Sequence, residues 1–181
     1  MDWFMSDPHF GHRNILKFEN EYRPYADVDE MDWSIIRNIN DRVMPTDKLY
    51  ILGDIAFNSK HDRLSHINAQ QIIIILGNHD YPNKIPDIML PGVKVAGCLE
   101  YKGCILTHIP VHESQKARFR ANIHGHLHDA EVKDRNGHPD KWYYNAGMER
   151  HNMCPVLWSD IAKVIPKEEG DEDAYYDKVR K

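Results

Sequence analysis

Four short segments of this chain combine acidic, histidine and asparagine side chains in a pattern typical of metal binding. In chain order they are Asp7-Pro8-His9, Gly53-Asp54, Gly77-Asn78-His79-Asp80 and His126-Leu127-His128, with His108 before the last. Asp, Asn and His donate oxygen or nitrogen to divalent cations, and an Asp that bridges two ions can hold them ~3.5–4 Å apart in hydrolytic centres. A D-x-H or an H-x-H alone occurs by chance in many proteins. Together, the ordered segments predict one site for two metal ions.

Each of these segments follows a short apolar run that predicts a buried β-strand. The runs are rich in β-branched or aromatic residues, and they are Trp3-Phe4-Met5, Lys48 to Leu52, Ile72 to Leu76, Cys104-Ile105-Leu106 and Asn122-Ile123. Ligands of α/β sheets gather at the carboxyl ends of strands, where loops converge. Gly53, Gly77 and Gly125 are expected to permit tight turns directly after a strand. The predicted fold therefore places the polar side chains at one sheet edge.

The ordered motifs D-x-H, G-D, G-N-H-D, H and G-H-x-H resemble those of the calcineurin-like metallophosphoesterases. The resemblance covers roughly residues 1–160. The opening D-x-H-F-G-H-x-N-I, from Asp7 to Ile15, is most similar to small bacterial and phage-type members, as are Asn145-Ala146-Gly147 and the following Pro155-Val156. The resemblance implies an α/β fold, namely a four-layer α/β/β/α sandwich of two mixed sheets with the metals at one edge.

The resemblance also implies which side chains hold the ions. The first metal is expected to bind Asp7, His9, Asp54 and His128, and the second is expected to bind Asp54, Asn78, His108 and His126, so that Asp54 bridges. A water or hydroxide shared by the two ions, with its pKa lowered by them, is the implied nucleophile. Mixed His, carboxylate and Asn ligands suit manganese first, with iron, zinc or nickel as alternatives.

Two further residues of the third segment are predicted to be catalytic. His79 is implied to lie beside the substrate phosphate, where it could stabilise charge or protonate the leaving oxygen, and Asp80 is expected to orient its imidazole. Asn78 and His79 are also expected to contact the substrate, together with His12 and Asn14, which follow the first metal motif closely.

Two other histidines have weaker predicted roles. His112 follows His108 in a loop that could overhang the site, although a loop without a function is favoured. His124 is expected to pack behind the ligands or on the opposite side of its strand from them.

The resulting prediction is a metal-dependent phosphoesterase that hydrolyses small phosphodiesters, such as cyclic or short nucleotides. Phosphomonoester or pyrophosphate-bond hydrolysis is the alternative, because a two-metal centre stabilises any in-line attack on phosphorus. A non-catalytic binding scaffold on the same fold is a further alternative, but such a scaffold would be expected to lack ligands. The segment from His124 to Asp129 is partly similar to a metallo-β-lactamase motif, but its last residues are in the wrong order.

The composition of the chain limits the partners that are expected. The formal net charge is −5, the isoelectric point is about 6.2, and no basic run is interleaved with aromatic residues, so extended nucleic acid is not an expected ligand. An apolar run near 18 residues and a signal-like N-terminal segment are also absent from the sequence, which predicts no membrane association. Three cysteines without C-x-x-C spacing favour reduced thiols and a cytoplasmic location. Nothing in the sequence indicates an oligomeric state.

The pattern of the chain predicts a single metallophosphoesterase domain over residues 1–165 and an acidic C-terminal tail over residues 166–181. A helix is expected over residues 27–43, where Asp27 and Glu30 form a start resembling a capping box, and a second helix over about residues 60–69. In that second segment, His61 and His66 are predicted to be solvated. Cys98 and Cys104 are expected to be buried on either side of a hairpin turn at residues 101–103.

Overall fold

Two β-sheets form the framework of this computed structural model, which describes residues 1–167. The strands of the described chain are β1 (Asp2–Met5), β2 (Lys48–Ile51), β3 (Gln71–Ile75), β4 (Val93–Ala96), β5 (Leu99–Tyr101), β6 (Cys104–Leu106), β7 (Asn122–His124), β8 (Tyr143–Asn145) and β9 (Val156–Leu157). One sheet has the order β4-β3-β2-β1-β9, in which β1 to β4 are parallel and β9 is antiparallel to β1. The other has the order β5-β6-β7-β8, with only β5 antiparallel. The five strands predicted from apolar runs are thus confirmed.

The helices of the described residues are short, apart from one. They are α1 (Ile15–Phe18), α2 (Val28–Asn40), α3 (Ile85–Ile88) and α4 (Trp158–Val164), and 3₁₀ turns cover Lys60–His66, Pro82–Lys84, Glu113–Ala117 and Met148–His151. Asp27 caps α2 as predicted, because its carboxylate accepts a hydrogen bond of 2.8 Å from the Glu30 amide. The helix ends at Asn40, three residues before the predicted end at residue 43, although the amides of Asp41 and Val43 still donate to the carbonyls of Arg37 and Ile39. Residue Val43 is still buried.

The first sheet carries a hydrophobic core on each face. Leu49 and Ile51 of β2 pack with residues of α2, whereas Tyr50 and Leu52 face the second sheet and pack with its residues Leu106 and Ile123. This alternation is the period-two pattern of a strand that is buried on both sides. The structure is therefore a mixed α/β fold with two mixed sheets that share a core.

Two predictions about local burial are wrong in part. The second predicted helix is a 3₁₀ turn over Lys60–His66, and His61 is buried on its inner side, although His66 is exposed as predicted. Flanking polar residues suggested solvation for both, but a tight turn packs one side against the protein. The predicted hairpin is present between β5 and β6, with Cys104 buried, whereas Cys98 before it is exposed.

The predicted acidic tail cannot be compared with the structure, because residues 168–181 of it lie outside the described residues. Between residues 1 and 167, no helix is both long enough and apolar enough to cross a membrane.

Candidate metal centre

The carboxyl ends of the parallel strands bring the predicted ligands to one edge of both sheets. Pairing of β1 with β2 continues past the strands, because the Asp7 amide donates to the Gly53 carbonyl and the His9 amide donates to the Asp54 carbonyl, both at 3.1 Å. The two sheets are joined at this edge by a hydrogen bond of 2.9 Å from the His126 amide to Asp7 Oδ2. Residues from both sheets therefore face one another across a single site.

Two groups of potential metal ligands lie in this site. In each group the ligand atoms lie within 4.8 Å of one another; the groups are Asp7, His9 and His128, and Asp54, His108 and His126. Asp54 also approaches the first group, since its Oδ2 lies 3.8 Å from His9 Nε2 and 3.4 Å from His108 Nε2. Asn78 Oδ1 lies 2.9 Å from His108 Nε2. The structure thus brings together all seven residues that were predicted to hold metals, with Asp54 between the two groups.

The hydrogen bonds of His108 favour a cation in the second group. Its Nδ1 lies 2.7 Å from the Leu52 carbonyl, which can only accept, so Nδ1 carries the proton of a neutral ring. The lone pair of Nε2 then points at two oxygens, those of Asn78 and Asp54. A cation among these atoms would satisfy all three. In the first group, Asp7 Oδ1 and both ring nitrogens of His9 are buried without a hydrogen-bond partner within residues 1–167, which a ligand role would also explain. The residues present therefore fit two divalent ions.

The electrostatics of the site also favour positive charge. Burial by itself would raise the pKa of Asp7, but the His9 imidazole, whose Nε2 lies 3.6 Å from Asp7 Oδ1, and the charge of His108 hold that pKa well below its usual range. Burial would likewise lower the pKa of His108, yet the Asp54 carboxylate, whose Oδ2 lies 3.4 Å from Nε2, and the charge of Asp7 raise it. Two buried carboxylates thus attract protons or cations to the imidazoles around them.

The backbone of the predicted ligands is unusual. Of the ten non-glycine residues with positive φ in the described chain, five are candidate ligands, and these are Asp7 (59°), His9 (52°), Asp54 (55°), His126 (69°) and His128 (51°). The left-handed region is sparsely populated by residues with a Cβ; it costs of order 1–3 kcal/mol per residue and persists only where the surrounding structure holds it. Because this backbone conformation is concentrated where the strands end, it directs the successive ligand side chains into one site.

Two glycines make room for this arrangement. A Cβ at Gly77 would lie 2.2 Å from Asp54 Oδ1, and a Cβ at Gly125 would lie 1.7 Å from Ser6 Oγ. Tight turns do follow both glycines, because the Asp80 amide donates to the Gly77 carbonyl at 3.2 Å and the Leu127 amide donates to the Gly125 carbonyl at 2.8 Å. Neither glycine has positive φ, so what each provides is space beside the ligands. Gly53, with φ of 90°, does need the conformational freedom of glycine.

His79 lies at the open side of the site. Its ring is 40% exposed, and its Nε2 is 3.9 Å from Asp54 Oδ2. The role predicted for Asp80 is corrected by the structure: the Asp80 carboxylate accepts hydrogen bonds of 2.8–2.9 Å from the amides of Asp54, Ile55 and Gly77. Within residues 1–167 these amides are the hydrogen-bond partners of the Asp80 carboxylate, and the His79 ring is not among them, so Asp80 fixes the backbone of two site loops instead of orienting that imidazole.

The two remaining residues that were predicted to contact the substrate, His12 and Asn14, differ in their distance from the metal groups. His12 stacks on Phe57 at a centroid distance of 4.1 Å and lies 5.4 Å from the His9 ring, and burial lowers its pKa to about 4. Asn14 is exposed at the residue before α1. His12 is therefore beside the metal groups, whereas Asn14 lies on the adjoining surface.

The two histidines with weaker predicted roles belong to neither of the two ligand groups. His112 is used locally, because its Nδ1 accepts from the Ser114 amide at the start of a 3₁₀ turn. His124 is buried, and its Nδ1 bonds to the Gly125 carbonyl.

Two residues of the site were not predicted from the sequence. Glu149 accepts a hydrogen bond of 2.9 Å from His128 Nδ1, and Arg23 pairs with the same carboxylate at 2.7 Å. Both charged side chains are fully buried. Because the two residues are 126 positions apart and belong to no recognisable motif, no local sequence pattern indicated them. The feature that identifies them is their burial as a charged pair, which the structure shows.

The curated proteins that are similar to this chain in sequence have names that state no activity. No protein-family model matches the chain. The uncharacterized protein MJ1445 of Methanocaldococcus jannaschii is 32% identical over 172 residues, which cover 91% of each chain. The Gene 66 protein of Mycobacterium phage L5 is 31% identical over 86 residues, covering 45% of this chain and 40% of that protein.

Solved structures provide two further similarities. The crystal structure of the protein of unknown function AQ665 from Aquifex aeolicus has a TM-score of 0.67 and 26% identity, and covers 91% of this chain and 99% of that one. The nuclease MPE of Pseudomonas putida has a TM-score of 0.43 and 17% identity, over 70% of this chain and 60% of that one. By its identity over nearly the whole of both chains, this protein belongs to the same family as MJ1445 of Methanocaldococcus jannaschii.

Proposed function

We propose that this protein is a metal-dependent phosphoesterase of the calcineurin-like type, with a four-layer α/β/β/α sandwich and two divalent ions. The observation that carries the proposal is the pair of neighbouring ligand groups, in which Asp54 Oδ2 of one group lies 3.4 Å from His108 and 3.8 Å from His9 of the other group. A carboxylate between two histidine-containing groups is the arrangement that two-metal hydrolytic centres need. The ordered motifs of the sequence support the same conclusion.

The side chains divide into those that hold the ions and those that meet the substrate. Asp7, His9 and His128 would hold one ion, with Asp54 as the bridge, and Asn78, His108 and His126 would complete the other. When bound, the ions would lower the pKa of a shared water and neutralise charge on the phosphoryl group. His79, at the open side, would donate a hydrogen bond to a phosphoryl oxygen or a proton to the leaving oxygen. His12 would line the same cleft.

The proposed substrate is a small phosphodiester, for example a cyclic or short nucleotide. Manganese is the proposed metal, and iron, zinc or nickel would suit the same donors. The proposed location is the cytoplasm, in keeping with the three free cysteines of the described residues.

Metal removal and a bridge variant test the proposal. The purified protein would be stripped with a chelator, checked by elemental analysis, reloaded with Mn²⁺ and assayed on chromogenic mono- and diesters and on cyclic nucleotides. We expect activity to disappear with the metal and to return with Mn²⁺, with diesters preferred. Undiminished hydrolysis after confirmed metal loss would refute the proposal, and preference for monoesters would replace its diesterase part.

The same assay on Asp54→Asn tests the bridge. We expect the variant to fold, to bind both ions more weakly and to lose activity by orders of magnitude, because one carboxylate serves both groups. Full occupancy with near-normal turnover would contradict a bridging Asp54. The exposed substitution Asp62→Asn, which touches none of the ligands, is the control.

A further inference from the structure

A buried chain of charges connects His128 to the first predicted metal segment. Glu149 Oε1 accepts from His128 Nδ1 at 2.9 Å and from Arg23 Nε at 2.8 Å. The terminal nitrogens of Arg23 donate in turn to the main-chain carbonyls of Asp7 at 2.6 Å and Pro8 at 3.1 Å. One guanidinium group thus contacts the backbone that carries Asp7 and His9 as well as the carboxylate that holds His128.

This connection settles which nitrogen of His128 is available to a ligand. A carboxylate only accepts hydrogen bonds, so the ring proton lies on Nδ1 and the lone pair of a neutral imidazole lies on Nε2. The nitrogen opposite Glu149 is therefore the one that can bind an ion. A carboxylate in this position also makes the imidazole a stronger donor to a metal.

Stability alone gives a poor reason for this pair of charges. Arg23 and Glu149 both have fully buried side chains, and a buried ion pair is often no more stabilising than apolar residues of the same volume. Moreover, Glu149 Oε2 is buried without a hydrogen-bond partner within the described chain, so the carboxylate is not optimally satisfied by its surroundings. Its charge is directed instead through Oε1 to His128 and Arg23.

From these contacts we infer that Arg23 and Glu149 are positioning residues for the first metal position, setting the ring orientation and tautomer of His128 and the backbone of Asp7 and Pro8. The inference rests on the proposed metal centre and goes beyond it, because neither residue touches an ion or the substrate. Polar contacts of the pair reach the first position, and within the described residues none of them goes to Asn78, His108 or His126.

The first experiment measures metal affinity in Glu149→Gln. The glutamine Oε1 can still accept the hydrogen bonds of His128 and Arg23, whereas the negative charge is lost. We expect one of two Mn²⁺ sites to bind about 10–100-fold more weakly, the usual effect of losing the carboxylate partner of a ligating histidine. Binding would be followed by calorimetry and by the electron paramagnetic resonance of free Mn²⁺, and folding by circular dichroism.

A second buried arginine–carboxylate pair provides the matched control. Asp32 is fully buried and accepts from Arg63 Nε at 3.2 Å and from the Gly11 amide at 3.0 Å, but it contacts none of the candidate ligands. We expect Asp32→Asn to lower the midpoint of thermal unfolding as Glu149→Gln does, while both Mn²⁺ affinities stay within about twofold of the wild type, because distant sites behave independently. Unchanged Mn²⁺ affinities in Glu149→Gln, or equal weakening in both variants, would overturn the inference.

A measurement on the unsubstituted protein keeps the test decisive if Glu149→Gln does not fold. In ¹⁵N-labelled protein loaded with Zn²⁺, the ring nitrogens of His128 would be assigned by nuclear magnetic resonance. We expect a protonated Nδ1 and an Nε2 resonance that moves when Zn²⁺ is added. A proton on Nε2 would overturn the inference. Failure of the unsubstituted protein to bind Mn²⁺ or Zn²⁺ would instead refute the proposed metal centre, so the two failures are distinguishable.

Discussion

At the scale of single residues, the charges of the site are organised around two buried carboxylates. Asp7 and Asp54 are nearly inaccessible to water, and the imidazoles around them include two, His9 and His126, whose pKa is lowered chiefly by burial. Neutral imidazoles with available lone pairs and ionised carboxylates are the states that metal binding requires. The two carboxylates, His9 and His126 are thus already close to their ligand form.

His79 differs from these ligands in its exposure, and this difference leads to a prediction. Since His79 faces the open side of the site, His79→Gln should keep both ions yet lose roughly 10²–10⁴-fold in turnover, the scale expected for a positioned proton donor. Metal analysis and steady-state kinetics on esters of graded leaving-group pKa provide the measurement. Poor leaving groups should suffer most. A fall in metal content that parallels the fall in rate would make His79 a ligand instead.

At the scale of elements, the exits of β2 and β3 depend on one another through Asp80. The Asp80 carboxylate accepts hydrogen bonds from backbone amides of both loops, including those of Asp54 and Gly77. The Asp54 carboxylate in turn accepts a hydrogen bond of 2.9 Å from the His79 amide. In each loop, therefore, an aspartate side chain accepts hydrogen bonds from backbone amides of the other loop, and these contacts hold the two loops together.

Removal of these contacts should destabilise the protein measurably. Asp80→Ala leaves three amides without their acceptor, and each buried unsatisfied amide costs roughly 1–3 kcal/mol, so we expect a loss of at least about 3 kcal/mol in unfolding free energy. Urea denaturation followed by circular dichroism would measure it. Asp87→Asn, a change at a half-exposed carboxylate, should stay within about 0.5 kcal/mol. If Asp80→Ala were as stable as the wild type, Asp80 would not be what holds these loops.

At the scale of the whole molecule, the acidic balance is the property that bears on substrate choice. A net charge of −5 opposes the binding of long polyanions, so a small diester should be hydrolysed faster than single- or double-stranded nucleic acid. The double substitution of His12 and Asn14 by Ala should lower kcat/KM for such a diester by about 10-fold without emptying the metal site. The neighbouring exposed change Lys17→Ala should have little effect. Processive degradation of long nucleic acid faster than every small diester would contradict this prediction.

Much of the framework could be predicted from local sequence. The apolar runs that became β1, β2, β3, β6 and β7 were identifiable because a buried strand requires consecutive β-branched and aromatic residues, and the Asp27 cap of α2 was identifiable because capping is a local interaction. The candidate ligands were also apparent, since each follows a strand directly. Residues that follow neighbouring parallel strands lie at the same edge of the sheet, because the carboxyl ends of those strands meet there.

Other features of the site were decided by tertiary structure alone. Two of the three amide partners of Asp80 belong to a loop 25 or 26 positions earlier, and the neighbour of His128 is a glutamate that is bound by an arginine from the other end of the chain. The burial of His61 likewise depends on what packs against its turn. Sequence determined the types and order of the ligands, because strand exits are local. Only the fold decided their partners, because hydrogen bonding and burial depend on which distant segments come together.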